Sequence, residues 1–155
     1  MIGTRSMKQY LSDFWAITRL YDKHTFLSNI INMAPEGSIW TVQGVEDFGI
    51  ISGLDSCKVA DGGQPGIPDL HFKGVRRYLL NKENKKKIIS QIPNWNLDEN
   101  LYSQHIFVNK DKIFISYHCM QEHYTWVSHQ MDLSIMEEMQ QHFIMRFDKP
   151  GNSAY

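Results

Sequence analysis

The sequence has few cysteines and no long apolar run. Only Cys57 and Cys119 occur among its 155 residues. They could pair, but two thiols do not make the disulfide framework of a small secreted protein, and they fit the reducing cytoplasm, where we expect the protein to work. No stretch approaches the ~20 apolar residues that a transmembrane helix needs, and the N-terminus MIGTRSMKQYLSDFW lacks the features of a signal peptide. The sequence therefore predicts no association with a membrane.

An excess of charge is also missing. Lys and Arg number 16, Asp and Glu number 17, and the formal net charge is −1. Broad, sequence-independent binding to nucleic acid requires a basic field, so this balance argues against it. We find no internal repeat and no low-complexity segment. With 155 residues and 42% hydrophobic content, the chain is predicted to form a single domain, 1–155, with its own core.

Motifs with a dedicated chemistry are absent as well. There is no paired C-x-x-C, no H-E-x-x-H and no G-x-S-x-G. The glycine- and proline-rich stretch 55–69, DSCKVADGGQPGIPD, has loop composition but lacks the Gly-Lys-Ser/Thr of a phosphate loop. We therefore expect no cofactor and no metal site.

Helical periodicity is found near both ends of the chain. Apolar residues recur every three or four positions in 6–21, which predicts an amphipathic helix, and 25–33 is predicted to be a second helix or a bent extension of the first. The same period predicts a helix over 134–147, capped by Asp132 or Ser134. Both terminal helices are expected to pack on one face of a sheet.

The middle of the chain alternates between strand and helix signals. SIWTVQG (38–44) and FGIISGL (48–54) predict a β-hairpin. Residues 68–81 are ambiguous between helix and strand; we favour a helix, continued by the lysine-rich 82–91. The basic side chains of this region could be a solvated helix face, a phosphate-recognising patch or a docking site for an acidic partner.

The most informative segment is 103–129, SQHIFVNKDKIFISYHCMQEHYTWVSH. Its aromatic and β-branched runs predict three antiparallel strands, with turns centred on Lys110-Asp111 and Gln121-Glu122. Because side chains alternate along a strand, this register defines two faces. The core face would hold Ile106, Val108, Ile113, Ile115, Tyr117, Cys119, Tyr124 and Trp126. The opposite face would hold His105, Phe107, Phe114, Ser116, His118, His123, Thr125, Val127 and His129.

Four histidines on one face suggest acid–base chemistry, phosphate binding or metal ligation, whereas imidazoles also tolerate any half-exposed sheet face. His123-Tyr124-Thr125 is similar to one H-x-T unit of the 2H phosphoesterase family. That resemblance implies that His123 and Thr125 act on a phosphate group. Together with the histidine-rich face it gives the alternative function, hydrolysis of a phosphorylated or nucleotide substrate, with His105, His118, His123 and Thr125 as catalytic residues and Ser116 as a further donor to phosphate. The family uses a second H-x-T unit, and the sequence around His105 lacks its hydroxyl residue.

A second group of residues suits contact with a partner. Trp95 lies between two asparagines, a setting that fits either a plug against the core or an interface anchor. Aromatic and arginine side chains carry much of the energy of protein interfaces. The predicted binding residues are Trp95, Arg76, Arg77, Tyr102 and His129.

The order of segments resembles that of small bacterial toxin-immunity and inhibitor proteins: an N-terminal helical part, PEGSIWTVQG, the stretch NKDKIFISYHCMQEHYTWVS and a closing helix. The resemblance implies a protein that neutralises a macromolecular, protein partner by covering it. We therefore expect an α+β fold with an antiparallel sheet of about five strands, and partner binding as the leading function. Phosphodiesterase or hydrolase activity, with a small nucleotide ligand, is the alternative.

Overall fold

The computed structural model describes residues 12–44, 54, 57, 59, 75–99 and 101–148. The strands in these residues are β1 (Phe14–Leu20), β2 (Ser38–Gln43), β3 (Arg76–Leu80), β4 (Ser103–Val108), β5 (Asp111–Ser116), β6 (Thr125–Ser128) and β7 (Met145–Phe147). The helices are α1 (Lys23–Met33), α2 (Lys82–Gln91) and α3 (Leu133–Gln141), with a 3-10 turn at Ile92–Asn94.

The strands form one sheet in the order β3-β2-β4-β5-β6-β1-β7. Every pairing in it is antiparallel. The α+β class with an antiparallel sheet is therefore confirmed, but the described part of the chain has seven strands rather than the expected five. Three of the strands, β1, β3 and β7, come from segments for which the sequence predicted helices.

Residues 14–20 form a strand, so the prediction of a helix over 6–21 is wrong for this part; residues 6–11 lie outside the described residues. In β1 the buried positions alternate, with Trp15 and Ile17 inside. Trp15 pairs with Val127 and Ile17 with Phe147. Aromatic and β-branched residues satisfy both periods in so short a segment, and pairing with two C-terminal strands decides in favour of the strand.

Two further predictions fail around β3. Residues 76–80 are a strand, not a continuation of a helix, and the helix begins only after Asn81, whose side chain accepts a hydrogen bond from the Asn84 backbone N–H at 2.8 Å. β2 is flanked by β3 and β4, so both of its edges are occupied. The expected hairpin between 38–44 and 48–54 is therefore not formed. Residues 68–74 lie outside the described residues, as do 48–53.

The C-terminal helix is shorter than predicted. Asp132 caps α3, and its carboxylate accepts a hydrogen bond from the Ser134 backbone N–H at 2.9 Å, which agrees with one of the two expected caps. The helix ends at Gln141, because Phe143 adopts a left-handed conformation with φ 57°. The chain then pairs with β1 as β7 instead of remaining helical to residue 147.

The apolar core lies on one face of the sheet, here called the core face. Trp40, Ile106, Phe114 and Val127 are successive cross-strand partners on it. Phe26 of α1 packs against Phe114 with ring centroids 6.1 Å apart, and the buried residues of all three helices belong to the same core cluster. The opposite side of the sheet is called the second face.

Candidate functional site

The register of β4 and β5 separates residues that the sequence placed together. Val108 pairs with Asp111 and Ile106 with Phe114, whereas the sequence predicted Val108 opposite Ile113. The turn is centred on Asn109-Lys110, where Asn109 has φ 57°, and the irregularity after Ile106 leaves the pairing beyond it one residue away from the predicted register. Since a shift of one residue exchanges the two faces of a strand, Phe114 joins Ile106 on the core face.

The expected histidine face does not form. His105 lies in β4 on the second face, whereas His118 and His123 belong to the loop between β5 and β6, and His129 follows β6. Thr125 is on the core face, where its hydroxyl oxygen lies 3.0 Å from that of Ser116 and donates to the Gln121 carbonyl at 3.1 Å. The four residues proposed for phosphate hydrolysis thus occupy different surfaces.

On the second face, four buried polar side chains form a contiguous group, here called the polar strip. Thr41 pairs with His105 and Gln43 with Ser103 across β2 and β4. All four are at most 2% exposed. Neither ring nitrogen of His105 has a hydrogen-bond partner, and the Thr41 hydroxyl has none. This is unusual, because nearly all buried polar side chains in proteins are hydrogen-bonded.

Aromatic rings and a cation surround His105. Its ring stacks on Phe107 at 6.2 Å and meets Tyr117 edge-on at 5.3 Å. Burial lowers the pKa of His105 from 6.5 to about 3, and the charge of Lys112 adds to the effect. Lys112 Nζ lies 5.9 Å from the Phe107 ring centroid, and burial lowers the pKa of this ammonium. His105 is therefore a neutral imidazole at physiological pH.

A second cluster lies at the surface. The Tyr102 hydroxyl is 2.8 Å from His118 Nδ1, and the two rings are 5.2 Å apart and nearly perpendicular. On its other side, the His118 ring lies 4.9 Å from that of Tyr124, again edge to face. Tyr124 is 44% exposed and His118 is exposed. We call Tyr102, His118 and Tyr124 the tyrosine–histidine corner.

The backbone under this corner is left-handed. His118, Cys119 and Met120 have φ values of 54°, 59° and 56°, so three consecutive non-glycine residues occupy a region that L-amino acids avoid. Each such residue costs roughly 1–2 kcal/mol. Met120 is fully buried, and its side chain anchors the turn in the core.

Hydrogen bonds from other elements hold the left-handed turn. The Cys119 backbone N–H donates to the Tyr102 carbonyl at 3.0 Å. Lys23 Nζ donates to the Cys119 carbonyl at 2.9 Å and to Asp98 at 2.5 Å. Further along the loop, the Glu122 carboxylate accepts from the Leu20 backbone N–H at 2.7 Å. The contacts of Cys119 with Tyr102 and Lys23 thus offset part of the strain in the turn.

The predicted binding residues fall in different environments. Trp95 is 4% exposed and stacks on Trp40 at 6.1 Å, so it is a plug in the core. Arg76 and Arg77 are half-buried on β3, and His129 is exposed with its ring 4.8 Å from Trp15. Tyr102 is the one member that contributes to the corner.

Sequence reasoning missed the corner as a unit. It assigned Tyr102 to binding and His118 to catalysis, and it placed Tyr124 on a core face. The left-handed turn carries no glycine or asparagine that could have indicated it.

No protein-family model, curated protein or solved structure matches the chain. Within the described residues, no three or more His, Cys, Asp or Glu side chains are grouped so that they could hold a metal ion. Among the same residues, every helix is too short or too polar to cross a membrane.

Proposed function

We propose that the protein binds and neutralises a macromolecular partner, itself a protein in the cytoplasm, through the tyrosine–histidine corner. The observation that carries this proposal is the left-handed turn, which keeps His118 exposed between Tyr102 and Tyr124 despite its backbone strain. Non-glycine residues in such conformations persist where the surrounding structure imposes them, and they concentrate at functional sites.

The side chains of the corner suit an interface. Tyrosine presents a large, rigid surface with a polar end, so it loses little conformational entropy on binding and is common among the residues that dominate binding energy. His118 is held by a hydrogen bond to Tyr102 and by two ring contacts, which leaves it ordered before a partner arrives. Preorganisation of this kind raises affinity because less freedom is lost on association.

The hydrolase alternative is less well supported by the same geometry. General acid–base catalysis on one phosphate requires its histidines and hydroxyls to converge on the reacting atoms. His105 is buried on the second face, His118 and His123 are in an exposed loop, and Thr125 is engaged on the core face. We therefore propose partner binding rather than hydrolysis as the function.

The test is affinity capture from the native host with the wild-type chain and with Tyr124→Ala and His118→Ala. Leu133→Ala is the matched control. The exposed fraction of Leu133, 39%, is similar to that of Tyr124, and Leu133 lies at the start of α3, outside the corner. We expect the two corner variants to bind the captured partner about tenfold or more weakly, as loss of a central contact at an interface does.

The captured partner, once purified, should lose activity when the wild-type chain is added and keep it when Tyr124→Ala is added. Equal capture by all four chains would contradict the assignment to the corner. A partner whose activity the wild-type chain leaves unchanged would contradict neutralisation.

A further inference from the structure

The polar strip, which is separate from the tyrosine–histidine corner, contains buried polar groups without hydrogen bonds. His105 is fully buried, and its neutral ring has one nitrogen that donates and one that accepts, neither of which has a partner. Thr41, its cross-strand neighbour, adds a hydroxyl without a partner and is also fully buried. Groups of this kind are rarely left unsatisfied in a folded protein, because they lose their hydrogen bonds to water without replacement.

A cation lies next to Phe107 on the same face and acts on His105 through its charge. Lys112 is the cross-strand partner of Phe107, whose ring stacks on His105, so its ammonium is on the second face. Its charge acts on His105, and burial lowers the pKa of Lys112 itself. A partly buried ammonium is stabilised by an anion that reaches it.

The strand positions around His105 on this face carry no carboxylate that could fill that role. According to the register they are Ile39, Thr41, Gln43, Ser103, Phe107, Lys112 and Ile115, and the partner of Thr41 on β3 is a second cation, Arg77. We infer that Thr41, His105 and Lys112 bind a small anionic ligand, a molecule that presents a carboxylate or phosphate group to them. The Lys112 ammonium supplies the charge opposite to that of the ligand. The His105 N–H and the Thr41 hydroxyl donate hydrogen bonds to the oxygens of the carboxylate or phosphate group. This inference does not depend on the proposed function.

The experiment follows the ring nitrogens of His105 by NMR in the full chain labelled with ¹⁵N-histidine. Sodium acetate and sodium phosphate are the two probes, and sodium chloride at matched ionic strength is the control. We expect acetate, phosphate or both to shift the His105 ring signals saturably, with chloride leaving them in place. A response to acetate alone identifies a carboxylate site, and a response to phosphate identifies a phosphate site.

Two variants test the assignment of the groups. Lys112→Met keeps the length of the side chain without its charge, and Thr41→Val keeps the shape without the hydroxyl. Lys112→Met should weaken binding of the responding probe about tenfold, the scale of one charge-assisted hydrogen bond. Thr41→Val should weaken it somewhat less, since its hydroxyl is neutral. Lys110→Met, in the exposed turn between β4 and β5, should bind as the wild type does.

The titration of the wild-type chain tests anion binding at His105 even if a variant does not fold. The absence of a saturable shift with both probes would overturn the inference. So would a shift that chloride reproduces, or a crystal structure grown with acetate and phosphate in which ordered water alone satisfies the ring nitrogens of His105.

Discussion

His105 and His118 lie in neighbouring parts of the chain and have opposite environments. His105 belongs to a central strand, is fully buried and has no hydrogen bond at either ring nitrogen. His118 follows the next strand in a left-handed turn, is exposed and shares a hydrogen bond with Tyr102. Both rings are surrounded by aromatic side chains.

The difference shows that position in the sheet, and not residue type or aromatic neighbours, determines what each imidazole can do. A strand surrounded by other strands removes a side chain from water, so His105 stays neutral and its free hydrogen-bonding groups favour an internal ligand. A strained turn supported from outside keeps His118 at the surface, where it is available to a macromolecule.

The largest contrast should come from the aromatic partner of each histidine. Phe107 is 1% exposed, so Phe107→Ala should lower the free energy of unfolding by about 3–5 kcal/mol through lost burial and a cavity. Tyr124 is 44% exposed, and Tyr124→Ala should change it by less than about 1 kcal/mol. Urea denaturation of both variants measures the difference. Equal losses would mean that burial of the Phe107 ring adds no more to the free energy of unfolding than the exposed ring of Tyr124 does.

The next contrast is in acid. The pKa of His105 is lowered from 6.5 to about 3 in the folded protein, so the unfolded chain binds a proton there at a higher pH. Stability should therefore fall as the pH is lowered from 6.5 towards 3, by about 3 kcal/mol at about pH 4. His105→Phe should remove this loss, whereas His118→Gln should keep it. The midpoints of urea unfolding between pH 7 and about pH 4 measure this loss. If His105→Phe lost as much stability in acid as the wild type, the prediction would be refuted.

The smallest effect tests the backbone of the loop that holds His118. His123, in the same loop, has φ 67° and an exposed side chain, so His123→Gly should raise stability by a few tenths of a kcal/mol up to about 1 kcal/mol. Gln121 is exposed and is not among the positive-φ residues, so Gln121→Gly should lower it by a similar amount. Thermal unfolding of the pair checks the sign. Destabilisation by both substitutions would show that the loop stores no strain at His123.

Local patterns predicted part of this fold. The strands in 38–44 and 103–129 were found because aromatic and β-branched residues are concentrated there, and the α1 helix and the Asp132 cap followed from periodicity and capping chemistry. Segments of three to seven residues, such as β1, β3 and β7, carry too few positions to separate the helical period from the strand period. In β1 and β7 the strand conformation is determined by pairing with partners more than 100 residues away.

The site depended on details that a sequence pattern does not contain. The irregularity after Ile106 leaves the β4–β5 pairing one residue away from the predicted register, which moves Phe114 and Ser116 to the core face and leaves His105 on the other. The corner depends on three consecutive non-glycine residues in the left-handed conformation. The middle one, Cys119, donates a hydrogen bond to the Tyr102 carbonyl and accepts one from Lys23. Such conformations are imposed by tertiary contacts, so local propensity does not indicate them.

The position of β1 between β6 and β7 has a consequence for synthesis on the ribosome. Leu20 pairs with Met145 and Phe14 with Ser128, so this early strand has no strand partner until more than a hundred further residues have been made. Pairing over such separations slows folding, because a long loop must close before the contact forms. The nascent chain therefore carries an open, aromatic-rich strand while more than a hundred residues are added, and β6 and β7 then pair with its two edges.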